Sequence, residues 1–122
     1  MQLASNSMAL YVRCRHWADA RVYQLEESWI NLETVPAARR QTFETLGPNE
    51  WLVERVPLSR AKHTFSAEEA NTQAAADLVL SPREAMLVIE RVTWIENRTI
   101  TWARLAHPGR SYRLVAETQT LL

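Results

Sequence analysis

The sequence predicts an α+β domain, an antiparallel sheet with helices on one side. Three observations support this. From Leu10 to Trp17 apolar and polar residues alternate with period two, which sends successive side chains to opposite faces of a strand. Between them lie two segments with helix start and stop signals, rather than a helix after every strand, as an α+β fold requires. A strand-turn-strand unit also occurs twice, once early and once late. With 122 residues, 47% of them hydrophobic, the chain has the size and apolar content of one domain.

Residues 1–8 carry no basic cluster followed by an apolar run, so they read as an unstructured lead and not as a signal peptide. From Leu10 to Trp17 one face holds Leu10, Val12, Cys14 and His16, and the other Tyr11, Arg13, Arg15 and Trp17, the pattern of a strand. Ala18-Asp19-Ala20 breaks it, and Arg21 to Asn31, rich in Val, Tyr, Trp and Ile, completes a hairpin. Pro36 near the first helical position and Gly47-Pro48 just past the last predict a helix over Val35–Leu46. Asn49 to Val56 fits no single element, and Pro57-Leu58-Ser59 ends it. Lys62 to Phe65 looks extended, after which Ser66 and Glu69 have capping-box spacing and open an alanine-rich helix to about Leu78. Ser81-Pro82-Arg83-Glu84 turns the chain into Ala85–Trp94 and Ile95–Trp102, which repeat the early hairpin, and Ser111 to Thr118 adds a short strand. The second unit is preceded by an extended segment and a helix, the first only by residues 1–8. The first half is therefore expected to lack its leading strand and helix.

Composition excludes several function classes. Fourteen basic and fourteen acidic residues cancel, so no whole-molecule positive field draws the chain to nucleic acid or to an anionic membrane. Gly47 and Gly109 are the only glycines, too few for a phosphate loop or a dinucleotide fingerprint. Cys14 stands alone, which excludes an intramolecular disulfide and fits a reducing, cytoplasmic setting. His16, His63 and His107 lack metal-ligand spacing, and no serine or cysteine sits in a nucleophile motif, so no metal, cofactor or catalytic residue is assigned. Nowhere do about eighteen apolar residues stand together as a membrane span would need. Lys62 is the only lysine; the other thirteen of the fourteen basic residues are arginine, whose planar fork suits carboxylates.

Several pieces in order carry a family resemblance: Gln24-Leu25-Glu26-Glu27-Ser28-Trp29-Ile30-Asn31, Pro48-Asn49-Glu50-Trp51-Leu52, Pro57-Leu58-Ser59 with His63, Ile100 to Gly109, and Tyr112-Arg113-Leu114. Together, from about Ala9 to Leu114, they resemble the effector domain, called UTRA, of the GntR-family histidine-utilisation repressors. The resemblance assigns residues 9–122 to such a domain and implies a chorismate-lyase-like fold, homodimerisation, and a pocket for a small effector, urocanate in this subgroup. It implies a regulatory role in repressing histidine catabolism. Operator DNA would be reached through a winged helix-turn-helix that has no room before Ala9. Two features depart from the family pattern: the turn Ala18-Asp19-Ala20-Arg21 has no glycine, and Lys62 stands beside His63 where the subgroup usually has glutamate.

Urocanate joins a carboxylate to an imidazole through a flat link, so its site needs a donor fork at one end and polar partners at the other. Carried over by position, the resemblance implies His16, Glu26, Asn49, Trp51, Arg104, His107 and Tyr112 as effector-binding residues. His16 lies among Val12 and Cys14, where a hydrogen-bonded core histidine is the plainer alternative. Glu26 shares a face with Val22, Gln24, Ser28 and Ile30, an odd place for a carboxylate unless it is paired or faces a cavity. Arg104, on a face with Ile100, Trp102 and Ala106, needs an anion, either Glu26 or the ligand. Trp51 reads more readily as core than as pocket wall. The alternatives to a sensor are a dimerisation module without a working pocket and, least supported, a lyase-like enzyme.

Overall fold

The computed structural model describes residues 8–119. Its strands are β1 (Ala9–Ala18), β2 (Arg21–Asn31), β3 (Arg60–Glu69), β4 (Ala85–Ile95) and β5 (Arg98–Pro108); α1 spans Pro48–Arg55, α2 spans Thr72–Leu78, and 3-10 turns lie at Pro36–Arg40 and Gly109–Ser111. The five strands form one antiparallel sheet in the order β1-β2-β5-β4-β3. The two hairpins read from the sequence thus lie side by side and share the β2–β5 seam. Among the described residues β3 and α2 precede the second hairpin and no element precedes the first, while the lead expected over residues 1–8 lies, apart from Met8, outside them.

Period two decides what each face holds. On β2, Leu25, Glu27 and Trp29 face one way, opposite Ala106, Arg104 and Trp102 of β5; Glu26, Ser28 and Ile30 face the other, opposite Leu105, Ala103 and Thr101. On the first face α2 buries Ala75 and Leu78 against Leu25, Met86, Val88 and Ala106. On the second, α1 and the turn at Pro36–Arg40 pack Trp51, Leu52, Val35 and Ala38 onto Ile30 and Ile100. The register shift after Thr93 leaves Ile100 as an extra residue on β5 and turns it away from Trp102 and Arg104. The fold class is as expected, but the helices divide between the two faces. With Leu25 on one side and Ile30 on the other, the central strand needs apolar cover on both.

Three local signals resolve differently from the sequence reading. The helix expected over Val35–Leu46 is only the 3-10 turn Pro36–Arg40, after which the chain loops, with Phe43 at φ 58°, so that Phe43 meets Trp51 edge-on at 5.7 Å. Gly47-Pro48 starts α1 instead of ending a helix: Pro48 occupies the first turn, where its missing N–H costs nothing. The Ser66…Glu69 signature lies within β3, which pairs with β4 along its whole length, and α2 is capped instead by the Asn71 side chain accepting from the Ala74 N–H at 2.8 Å. The strand expected over Ser111–Thr118 does not form; residues 112–119 carry no regular element.

The β1–β2 turn closes without glycine by placing Asp19 and Ala20 at φ 50° and 66°, both in the left-handed region that two-residue hairpin turns demand. Val79, which ends α2 at φ 56°, is a β-branched residue in the same region and is 78% exposed. Ala20→Gly and Val79→Gly should each raise stability by about 1 kcal/mol, several degrees in Tm by thermal unfolding. A loss at Val79 would mean that its side chain packs where the structure leaves it in solvent.

Candidate functional site

Glu26 lies in the middle of the sheet on the α1 face and is 3% exposed. An ionised carboxylate there must be paired or hydrogen-bonded. His16, on the neighbouring strand and the same face, places Nε2 2.7 Å from Glu26 Oε1, and the Ser28 hydroxyl donates to Oε2 at 2.9 Å. The bond to Glu26 raises the His16 pKa above its ordinary 6.5, against the opposing effect of burial, which favours an imidazolium donating to the carboxylate.

The start of α1 arrives over this pair. Gly47, Asn49 and Glu50 join His16, Glu26, Tyr23, Gln24, Arg91 and Leu105 around a cleft of about 120 Å3. That is well below a drug-sized site and suits one ring with a short polar arm. Gly47 is favoured by proximity and not by its backbone angles: a Cβ there would stand 3.1 Å from His16 Cε1, tighter than an ordinary contact.

Arg91, which the sequence reading passed over, is the cleft's arginine. It projects from β4 beside Ala103 on the α1 face, and its buried Nε has no hydrogen-bond partner among the described residues. Burial lowers its pKa, while the charge of Glu26 opposes the shift. A guanidinium that lines a polar cleft and keeps an N–H unused fits a carboxylate. The signal for it was present: Arg91 sits at i±2 from Ile89 and Thr93, the same kind of placement that singled out Glu26.

The expected site residues fall into four groups. His16, Glu26 and Asn49 line the cleft together. Trp51 is core, 3% exposed. Arg104 is on the opposite face, so the expected pair with Glu26 does not form: Glu26 stands opposite Leu105 and Arg104 opposite Glu27. Arg104 instead grips Glu68, with Nη2 2.7 Å from Oε1 and Nη1 3.0 Å from Oε2, and this holds the Glu68 carboxyl below its ordinary range. His107 and Tyr112 stack on each other at 3.8 Å and reach the cleft only through Gln24, whose amide nitrogen lies 2.9 Å from His107 Nε2.

A larger groove of about 530 Å3 runs between the β1–β2 turn and the end of α2, lined by Trp17, Tyr23, Val79 and Leu80. Of its two arginines, Arg110 is already paired with Glu84. The smaller cleft is the stronger candidate because an acid, an imidazole and a guanidinium line it together. Among the described residues no three His, Cys, Asp or Glu side chains gather to hold a metal ion.

A five-stranded antiparallel sheet with helices on both faces is the architecture of the chorismate-lyase-like regulatory domains. The UTRA domain family matches residues 1–113, and the chain belongs to that family. It is 29% identical over 99 residues to the histidine utilization repressor of Klebsiella aerogenes, covering 81% of this chain and 41% of that protein. The chain therefore spans about two fifths of that repressor's length. The C-terminal domain of the histidine utilization repressor from Pseudomonas syringae pv. tomato str. DC3000 superposes with a TM-score of 0.89 at 25% identity, over 97% of this chain and 84% of that one. The effector binding domain of the Bacillus subtilis trehalose repressor shares the fold, with a TM-score of 0.83 at 15% identity over 99% of this chain and 85% of that one.

The two inner histidines should titrate in opposite directions. His16, held by Glu26, should have its midpoint above 6.5; His107, deprived of solvent, should have its midpoint below 6.5. By linkage the His16 contribution to stability is complete below 6.5 and is lost as pH rises through its folded value. The His107 contribution is complete above 6.5 and is lost as pH falls toward its folded value. Histidine NMR titration checks both, and a shared midpoint at the ordinary value would contradict the geometry.

Proposed function

We propose that this chain is the effector-sensing and dimerising part of a transcriptional repressor of histidine catabolism, and that its cleft takes urocanate. One observation carries the ligand reading: Arg91 lines a small polar cleft, and its buried Nε has no hydrogen-bond partner among the described residues. Arg91 takes the carboxylate, and the imidazole end meets Gln24, Asn49 and Glu50. Glu26 acts through His16, which it holds with Oε1 2.7 Å from Nε2. Similarity to the histidine utilization repressors supports the regulatory half of the reading. A domain outside this chain reads the operator in the cytoplasm, and no helix among the described residues is long and apolar enough to cross a membrane. Urocanate binds one arrangement of the dimer better than the operator-bound one and so shifts the population away from DNA.

Isothermal titration with urocanate should give saturable heat. Arg91→Met should weaken binding about tenfold to a hundredfold, because a hydrogen bond to a charged group contributes about 1.5–3 kcal/mol. Arg104→Met, on the other face, should leave the affinity unchanged. No heat with urocanate, histidine or imidazole propionate would sink the sensor reading, and an Arg91→Met chain that binds as well as the parent would sink the assigned carboxylate end.

A further inference from the structure

One side chain of the cleft has its polar orientation fixed from outside it. His107 is fully buried at the end of β5, with Nδ1 2.9 Å from the Leu87 carbonyl oxygen. A carbonyl oxygen only accepts, so Nδ1 carries the proton. Burial disfavours the charged imidazolium and lowers the His107 pKa, which leaves Nε2 bare and able only to accept. The Gln24 atom 2.9 Å from that Nε2 is therefore the amide nitrogen, donating. Tyr112 lies almost parallel against the imidazole, 20° between planes, and blocks its rotation. The amide nitrogen of Gln24 is thus committed to His107, and Oε1 is the amide atom left for the cleft that the side chain lines.

We infer that Gln24 is a specificity-determining residue, offering a carbonyl oxygen to a ring N–H of the ligand, and that His107 is the positioning residue that holds the amide in that sense. The site then selects a flat nitrogen heterocycle bearing an N–H. A ring without the donor covers Oε1 and leaves it unpaired, which costs more than the made bond contributes. The identity of the ligand's other end, the carboxylate at Arg91, rests on the preceding reading; the His107–Gln24 arrangement does not.

The test compares urocanate with 3-(2-furyl)acrylate, which keeps the carboxylate, the flat link and the ring size but has no N–H. By isothermal titration the parent chain should prefer urocanate at least about tenfold. Gln24→Leu should abolish the preference by weakening urocanate alone. His107→Phe, which keeps a ring against Tyr112, should shrink the preference in the same way without weakening the furan acid. Independently of binding, nitrogen-15 NMR of the unliganded parent should show the His107 proton on Nδ1. Gln24→Glu, of the same shape, should raise the His107 midpoint by placing a carboxylate against Nε2. A proton on Nε2, or a preference undiminished in Gln24→Leu, overturns the inference. If the parent binds neither acid, the urocanate reading falls, while the tautomer and the Gln24→Glu titration still decide the arrangement.

Discussion

A carboxylate at the centre of a β-sheet has to be satisfied where it stands, and much of the α1 face follows from how Glu26 is satisfied. The apolar cluster beneath α1 stops short of it, and the space is taken by polar groups that answer its charge: His16 from β1, Ser28 from the same strand, and Arg91 two strands away. Cys14, directly opposite Glu26 on β1, has its thiol pKa raised by burial and by that same charge, so it stays neutral and adds no second anion. A residue that would be a packing fault in a plain core here creates a polar hollow inside an otherwise apolar layer.

The opposite face of the same strands shows what the sheet does with charge when no cleft is involved. Tyr11 donates to Glu27 at 2.6 Å, and burial together with that carboxylate pushes the phenol pKa up to about 12. Arg13 meets Asp77 of α2, and Arg104 meets Glu68 and Glu90. These charges are paired within the chain, the partners are partly exposed, and such pairs contribute little each. Beside them Tyr11, Trp29 and Trp102 stack across three neighbouring strands, with ring centroids 4.8 and 4.6 Å apart. That face consists of closed pairs and aromatic packing. On the α1 face, by contrast, the Nε of Arg91 has no hydrogen-bond partner among the described residues.

The strands were legible because alternation is a short-range property: the first strand and the inward placement of His16 and Glu26 follow from parity within one segment, and the second hairpin from its repeat of the first. Helix signals failed where one dipeptide or spacing has two meanings. Gly-Pro ends one helix as readily as it begins another, and Ser66 with Glu69 fits a strand as well as a cap once β4 offers a continuous ladder. The arginine of the cleft was misplaced for a longer-range reason. Arg104 and Arg91 both alternate inward on covered strands, and parity cannot say which of two covered faces is meant. Only the register, Glu26 opposite Leu105 and Arg91 opposite Ala103, assigns Arg91 to the α1 face and Arg104 to the α2 face.

How occupancy of so small a cleft could matter beyond it depends on what forms its roof. The sheet beneath is paired along every strand and yields little, whereas residues 41–47 carry neither strand nor helix and lead directly into α1. Gly47 approaches His16 so closely that even a methyl group would crowd the imidazole. A ligand seated against His16 therefore meets the backbone that begins α1, and α1 carries Trp51 and Leu52 into the same cluster as Ile30 and Ile100. Phe43 ties the other end of the loop to Trp51. The start of α1 is thus tied to the cleft through Gly47 and to the packing on Ile30 and Ile100 through Trp51 and Leu52.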